Sequence, residues 1–194
     1  MSGQLVPTVR TPMTPAAVYA ALASAWTALL GTQPTRAELL VLLAQWAHET
    51  GGGLASNNWN LAGIKHVQGD GHDYAEYVTH EVVDGQDVTT VQRFRSYANL
   101  DESAFDYLRT LRNNFGFAWP AVEAGDVADF GHRLKIRGYY TAPESLYVTA
   151  LERWRASLDA SIPADVVGAL ANGQPALVLP EPLGPDVAPG EDVA

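Results

Sequence analysis

The residues whose types and spacing suit chemistry begin with Glu49, which closes an apolar stretch and is followed by Thr50 and then Gly51, Gly52 and Gly53. Leu39, Leu42, Leu43 and Trp46 recur at helical spacing, and Glu49, seven residues after Leu42, falls about 20° from it on a helical wheel. A carboxyl on that stripe, at the partly negative end of a helix, is pushed toward its protonated form by desolvation and by the helix dipole. That is the state a general acid requires. The plain alternative is a glutamate that ends a helix in solvent. A second carboxylate, Glu81, falls on a stretch of alternating residues, where a solvated strand residue is the plain reading.

Other chemistries fall away on spacing. His48 and Glu49 begin a zinc-protease pattern, but the second histidine that chemistry needs would stand at Gly52. The glycine triplet lacks the Lys and Ser or Thr of a phosphate loop. His66, Asp70, His72 and Asp73 form a loose polar group whose spacing matches no standard metal site, so neither a metal nor a cofactor is expected.

The elements that must position Glu49 are legible around it. Thr35 and Glu38 have capping-box spacing and mark a helix start, while the glycines mark its end. Upstream, Val18, Leu22, Trp26, Leu29 and Leu30 form a helical stripe beginning near Pro12 and Pro15. The Ala-rich run there, with Arg10 before it and Ala23, Ser24 and Ala25 within it, has some look of a signal peptide, but a core helix is the better reading. Residues 54–72 have loop composition. From Tyr74 to Phe94 the period changes to two about Asp84 and Gly85, a hairpin that sets Glu81 opposite Val88 and Thr79 opposite Thr90. Tyr77, Thr79, Glu81 and Val83 then share one face.

Helices resume at Asn99, whose spacing to Glu102 again suits a capping box, with Phe105, Leu108 and Leu111 as the stripe. A short piece at Trp119 and Pro120 and a helix capped by Asp126 follow. Thr141, Pro143 and Glu144 then read as the start of a last helix with Leu146, Tyr147, Ala150, Leu151, Trp154 and Leu158 on its apolar side. The fold class is α+β, predominantly helical, with a small β-hairpin lobe.

Composition bounds the partners. The 194 residues carry a net charge of −10, which argues against nucleic acid, and the absence of cysteine excludes disulfides. No stretch is long and apolar enough for a membrane span. Half of the twelve prolines lie from Ser161 onward, where five acidic residues have no basic companion. The expected division is therefore an N-terminal extension over 1–13, one domain over 14–160, and a tail or linker over 161–194.

Taken together, Glu49 with its glycines, Asn58 through Lys65, the hairpin with Glu81, the run Phe94, Arg95, Ser96, Tyr97, and Gly138 through Pro143 form a pattern. In that order it resembles glycoside hydrolase family 73, the bacterial and phage glucosaminidases of the lysozyme-like superfamily, over roughly residues 34–154. The resemblance implies a lysozyme-like fold and a peptidoglycan hydrolase, most simply an endo-β-N-acetylglucosaminidase that cleaves between N-acetylglucosamine and N-acetylmuramic acid. Glu49 would be the catalytic acid and Glu81 the assisting carboxylate, with Asp70, Asp73, Glu76 or the substrate's own N-acetyl group as substitutes.

Aromatic faces suit sugar rings, so Trp59, Tyr97, Tyr139 and Tyr140 are the expected substrate-binding residues, Tyr139 first among them on the resemblance and Tyr97 better suited to packing. Asn60 and Lys65 either bind substrate or fix their loop. Against the family pattern, Trp46 and His48 stand where smaller residues are common and Gly52 replaces a frequent tryptophan. A muramidase and a non-catalytic wall-binding module are the rival readings. The expected setting is synthesis in the cytoplasm and action on the cell wall, reached by lysis or through a delivery particle or secretion apparatus tethered by the C-terminal tail.

Overall fold

The computed structural model describes residues 3–83 and 86–163, and among them the side chains of all but residues 80–83, 86 and 87. The expected tail from residue 164 onward and the turn at Asp84 and Gly85 lie outside the described residues.

Among the described residues six α-helices and one hairpin follow in order: α1 (Pro15–Leu30), α2 (Arg36–Thr50), β1 (Tyr74–Val83), β2 (Gln86–Arg95), α3 (Leu100–Phe115), α4 (Trp119–Glu123), α5 (Val127–Ile136) and α6 (Glu144–Ser161). The ends are set by the expected chemistry. Thr14 caps α1, Thr35 and Glu38 form a reciprocal capping box on α2, and Asp126 accepts from two backbone N–H groups at the start of α5. On α3, Asn99 accepts from Glu102 N, but the Glu102 carboxylate reaches back to Ala98 N, one residue earlier than in a standard box.

Helix α2 is the centre of the domain. It packs against α1, α4, α5 and α6, and every residue from Leu39 to Ala47 is buried. The helix is therefore enclosed on all sides, not along one stripe, and its hydrophobic character all round is the signature of that position. Each fully buried leucine contributes about 1.5–3 kcal/mol.

Two apolar stripes differ from expectation. Phe105 and Leu146 are exposed, at 37% and 65% of their surface. On α3 the buried face turns to Ala104, Tyr107, Leu108 and Leu111 and takes Asp106 inside with it, because a salt-bridge network engages that aspartate. Helix α6 begins after Pro143, which makes no side-chain cap, and the carbonyls of residues 140–142 turn toward Lys135.

The hairpin is a two-stranded antiparallel sheet whose register pairs Glu81 with Val88 and Thr79 with Thr90. Its base is thickened on both sides. Leu5 bridges Tyr74 in parallel, and on the other edge Lys65 bridges Phe94. Residues 3–13 thus form a strap from β1 to the end of α2, through Val6 N to Tyr74 O at 2.8 Å, Thr11 N to Ser56 O at 3.1 Å and Met13 N to Gly53 O at 3.2 Å.

Candidate active site

Glu49 lies in the last turn of α2, where the helix is brought to a sharp stop. Gly51, Gly52 and Gly53 all adopt positive φ, at 58°, 70° and 92°. Gly53 has no alternative, because a Cβ there would lie 2.2 Å from Met13 O and 2.8 Å from the Trp46 ring. Thr50 secures the turn, donating to Trp46 O at 2.6 Å and accepting from Gly53 N at 3.0 Å. Glu49 as a residue is half-buried there.

Around that carboxyl the fold gathers tyrosines from separate elements. Tyr147, on the first turns of α6, donates its hydroxyl to Glu49 Oε1 at 3.2 Å. Tyr107 of α3 donates to Oε1 of Gln45, which sits one helical turn before Glu49 and is fully buried. Burial raises Glu49 to about 7, and the Tyr147 hydrogen bond pulls the other way without cancelling it. Burial first, and then the negative charge at Glu49, raise Tyr107, Tyr139 and Tyr147 above the ordinary phenol value, so all three remain protonated donors at any working pH. His48 lies edge-on to the Tyr147 ring, centroids 4.9 Å apart, and burial lowers its pKa, so it is uncharged near neutrality. A carboxyl that half-holds its proton at neutral pH, beside phenols that keep theirs, is suited to donating that proton.

The hairpin is tied to the loop after α2 and to the N-terminal strap through Asn58. Asn58 and Trp59 are non-glycine residues at positive φ, 51° and 55°. Asn58 Oδ1 accepts from Val9 N at 3.0 Å and from the Tyr77 hydroxyl at 3.3 Å, while its Nδ2 donates to Pro7 O and Ser96 Oγ. Tyr77 stacks on Phe94, centroids 4.8 Å apart. The hairpin face bearing Tyr77 is therefore the one turned toward the loop after α2, and the register puts Glu81 on that face and Glu76 on the other. The Glu81 side chain lies outside the described residues.

The expected binding residues separate into two groups. Tyr139, with 9% of its surface exposed, stands in the field of Glu49, and Trp59 is half-buried against the core. Tyr140, Tyr97 and Asn60 instead have structural partners. The Tyr140 ring lies parallel to that of Tyr147, centroids 3.7 Å apart, and its hydroxyl donates to Gly131 O. Tyr97 is buried with its hydroxyl donating to Asp106 Oδ2 at 2.7 Å. The Asn60 amide donates to the carbonyls of Ile64 and Arg95 and accepts from Ile64 N, which fixes the loop. At Gly52 a Cβ would meet Cη2 of Trp154 at 3.2 Å, so the indole of α6 stands where a side chain at 52 would begin.

Gln45, Tyr107 and Tyr147 are the site residues that sequence reasoning missed. Tyr147 fits the apolar side of α6 so well that its spacing announces packing, and packing is also what it does. The one signal was Gln45, a polar residue four positions before Glu49 in an otherwise apolar helix.

The substitutes for the second carboxylate are engaged elsewhere. Asp70 pairs with Arg95 at 2.9 Å and lies 3.0 Å from His66, Asp73 accepts from Gln4 N, and Glu76 pairs with Arg93. Arg95 also pairs with Asp106 at 2.7 Å, and His72 lies 3.7 Å from Asp106. Among the described residues no group of three His, Asp or Glu is placed to hold a metal ion. A concavity of about 620 Å³ between α5 and α6, lined by Asp129, His132 and Glu144 among others, contains none of the residues around Glu49. Its titratable groups are well solvated, so the chemistry is sought at Glu49.

The family model described as mannosyl-glycoprotein endo-beta-N-acetylglucosaminidase matches residues 32–160. The chain belongs to this glucosaminidase family. The matched region runs from just before the capping box of α2 to the end of α6 and contains the Glu49 site. The peptidoglycan hydrolase FlgJ of Vibrio cholerae is 34% identical over 125 residues, covering 61% of this chain and 37% of that protein. Its counterpart from Vibrio parahaemolyticus is 33% identical over 126 residues. The chain spans 37% of the length of these curated relatives.

Among solved structures, a peptidoglycan hydrolase mutant from Sphingomonas sp. A1 superposes with a TM-score of 0.56 at 26% identity, covering 80% of this chain and 95% of that one. A truncated glycoside hydrolase domain of FlgJ from Salmonella typhimurium gives 0.54 at 24% identity, covering 76% and 97%. The glucosaminidase domain thus has the lysozyme-like fold of those hydrolases. No helix among the described residues is long and apolar enough to cross a membrane.

Proposed function

We propose that this glucosaminidase-family protein hydrolyses the glycan strands of peptidoglycan as an endo-β-N-acetylglucosaminidase, with Glu49 as the general acid. The observation that carries the reading is the Glu49 carboxyl itself, raised to about 7 by burial and held by the Tyr147 hydroxyl. The names of the FlgJ relatives and of the superposed hydrolases support peptidoglycan as the substrate.

In the proposed reaction the protonated Glu49 gives its proton to the glycosidic oxygen as the bond to the anomeric carbon breaks. Tyr147, itself a permanent donor, holds Oε1 and thereby leaves Oε2 as the oxygen from which the proton departs. The positive charge that develops on the sugar needs a second group across the site. Glu81, on the hairpin face shared with Tyr77, takes that role, or the substrate's N-acetyl carbonyl does. Of the aromatics expected to bind substrate, Trp59 is the one with surface left for a sugar ring, while Tyr139 is buried beside Glu49. Delivery to the wall by a particle or secretion apparatus, through the segment after Ser161, belongs to the same reading.

Purified wild-type protein and Glu49→Gln incubated with peptidoglycan test it. The wild type is expected to release new reducing ends on N-acetylglucosamine, and Glu49→Gln to lose about 10²–10⁴-fold of that activity, the usual contribution of a positioned acid. Reducing ends on N-acetylmuramic acid would instead make the protein a muramidase. No release by the wild type would leave a wall-binding module, and equal release by both would remove Glu49 from the mechanism.

A further inference from the structure

The segment that brings two tyrosines to the Glu49 site is short and irregular, running from Gly138 to Ala142 between α5 and α6. Its first residues are hung on the end of α5 by Gly138 N to Lys135 O at 2.9 Å and Tyr139 N to Leu134 O at 3.0 Å. Beyond them the Lys135 side chain meets the segment's carbonyls. Lys135 Nζ donates to Thr141 O at 2.7 Å, Ala142 O at 2.8 Å and Tyr140 O at 3.3 Å, and stands 5.1 Å from the centroid of the Tyr140 ring. An ammonium has three N–H donors and here meets three consecutive carbonyls. These are carbonyls that a helix or strand would otherwise satisfy.

We propose that Lys135 is a positioning residue for the general acid, acting through the 140–142 segment on Tyr140, through Tyr140 on Tyr147, and so on Glu49. Each link is a contact on the structure. The ammonium fixes the backbone of Tyr140, the Tyr140 ring lies flat against the Tyr147 ring at 3.7 Å and 12°, and the Tyr147 hydroxyl donates to Glu49. Helix α6 starts at Glu144, directly after the segment whose carbonyls Lys135 meets. Lysine suits the place because the carbonyls converge on one nitrogen, whereas the planar fork of arginine spreads its donors.

The inference rests on Glu49 being the acid of the proposed reaction, but its test does not depend on turnover. The Glu49 carboxyl is titrated by carbon-13 NMR in the full chain for wild type, Lys135→Met, Tyr147→Phe and the double variant. Tyr107, Tyr139 and Tyr147 face Glu49 from the other elements and His48 adjoins it on α2. The two single variants leave every charge among these groups in place.

If Lys135 acts through Tyr147, Lys135→Met frees the hydroxyl that lowers the Glu49 pKa. The midpoint then rises by about half a pH unit or more, a threefold change in proton concentration. In the Tyr147→Phe background the same substitution shifts nothing further. Lys135→Arg, the second variant should the methionine protein fold poorly, moves the midpoint the same way by less. A folded Lys135 variant with lowered Tm but an unchanged Glu49 midpoint would show a merely structural staple and overturn the proposal. So would a shift that persists without the Tyr147 hydroxyl. Where wild-type protein releases no reducing ends, the hydrolase reading fails while this coupling is still read from the titrations.

Discussion

The Tyr147 hydroxyl and Glu49 Oε1 are 3.2 Å apart, joining the start of α6 to the end of α2, residues separated by nearly a hundred positions of chain. Two opposed influences meet at that bond. Burial favours the neutral carboxyl, whereas a donated hydrogen bond favours the ionised one, and the balance leaves Glu49 at about 7.

Removing the donor tips the balance. In Tyr147→Phe the Glu49 midpoint rises above 7, so the alkaline limb of the pH–activity profile moves to higher pH. Activity at the optimum falls about tenfold, the equivalent of roughly 1.4 kcal/mol for one hydrogen bond to an ionisable group. Rates of reducing-end release across pH 5–9 check both effects.

Glu49 has a raised pKa in the folded chain, so the native state binds the extra proton between the ordinary carboxyl value and about 7. Its contribution to stability is therefore fully present below the unfolded pKa and is lost as pH rises through about 7. Glu49→Gln is expected to gain stability over the wild type on going from pH 4.5 to pH 8, by about 3 kcal/mol at most. Urea unfolding of both proteins at the two pH values measures the difference. A gap that does not grow with pH would mean the carboxyl is solvated.

Asp106 has the opposite sign. Burial pushes its pKa up, but hydrogen bonds from Tyr97 and Arg95 and the charge of Arg95 outweigh burial and hold it below the ordinary value. Its contribution is present above the unfolded carboxyl pKa and lost as pH falls through the folded one. Asp106→Asn leaves the Arg95 and Arg109 charges short of their shared partner, at a cost of about 3 kcal/mol near neutrality. Thermal unfolding at pH 7 tests the loss.

Asn58 combines a left-handed backbone with side-chain bonds to three segments. Asn58→Ala should destabilise by about 3 kcal/mol, from lost hydrogen bonds and a strained φ, and Asn58→Gly by about 1 kcal/mol less because glycine removes the strain. Equal losses from the two, read by chemical denaturation, would assign the whole effect to the hydrogen bonds.

What could be read in advance was local. The capping box at Thr35 and Glu38, the glycine stop and the hairpin register each depend on residues within a dozen positions of one another, where spacing alone decides geometry. The family pattern added the order of the motifs and drew attention to Glu49. The cage around that carboxyl was not legible, because Tyr107 and Tyr147 carry the spacing of core residues and only the folded chain turns their hydroxyls inward. Residues 3–13 show no helical or strand period for a related reason. A strap that binds through its backbone leaves no periodic trace in side chains. Tyr140 and Tyr97 looked like sugar platforms because a sequence does not say which face of a ring is already covered.

The hairpin is supported unevenly, and this has a mechanical consequence. Around Tyr74 and Phe94 both outer edges are bridged, by Leu5 and by Lys65, so four chain segments lie side by side. Farther out, at Val78 and Val91, each strand has its neighbour alone among the described pairings, and a lone two-stranded ribbon is of marginal stability. Amide exchange should therefore be slow at residues 74 and 94 and accelerate toward 79 and 90. The described ribbon would then behave as a cantilever, clamped at residues 74 and 94 and more compliant by residues 79 and 90.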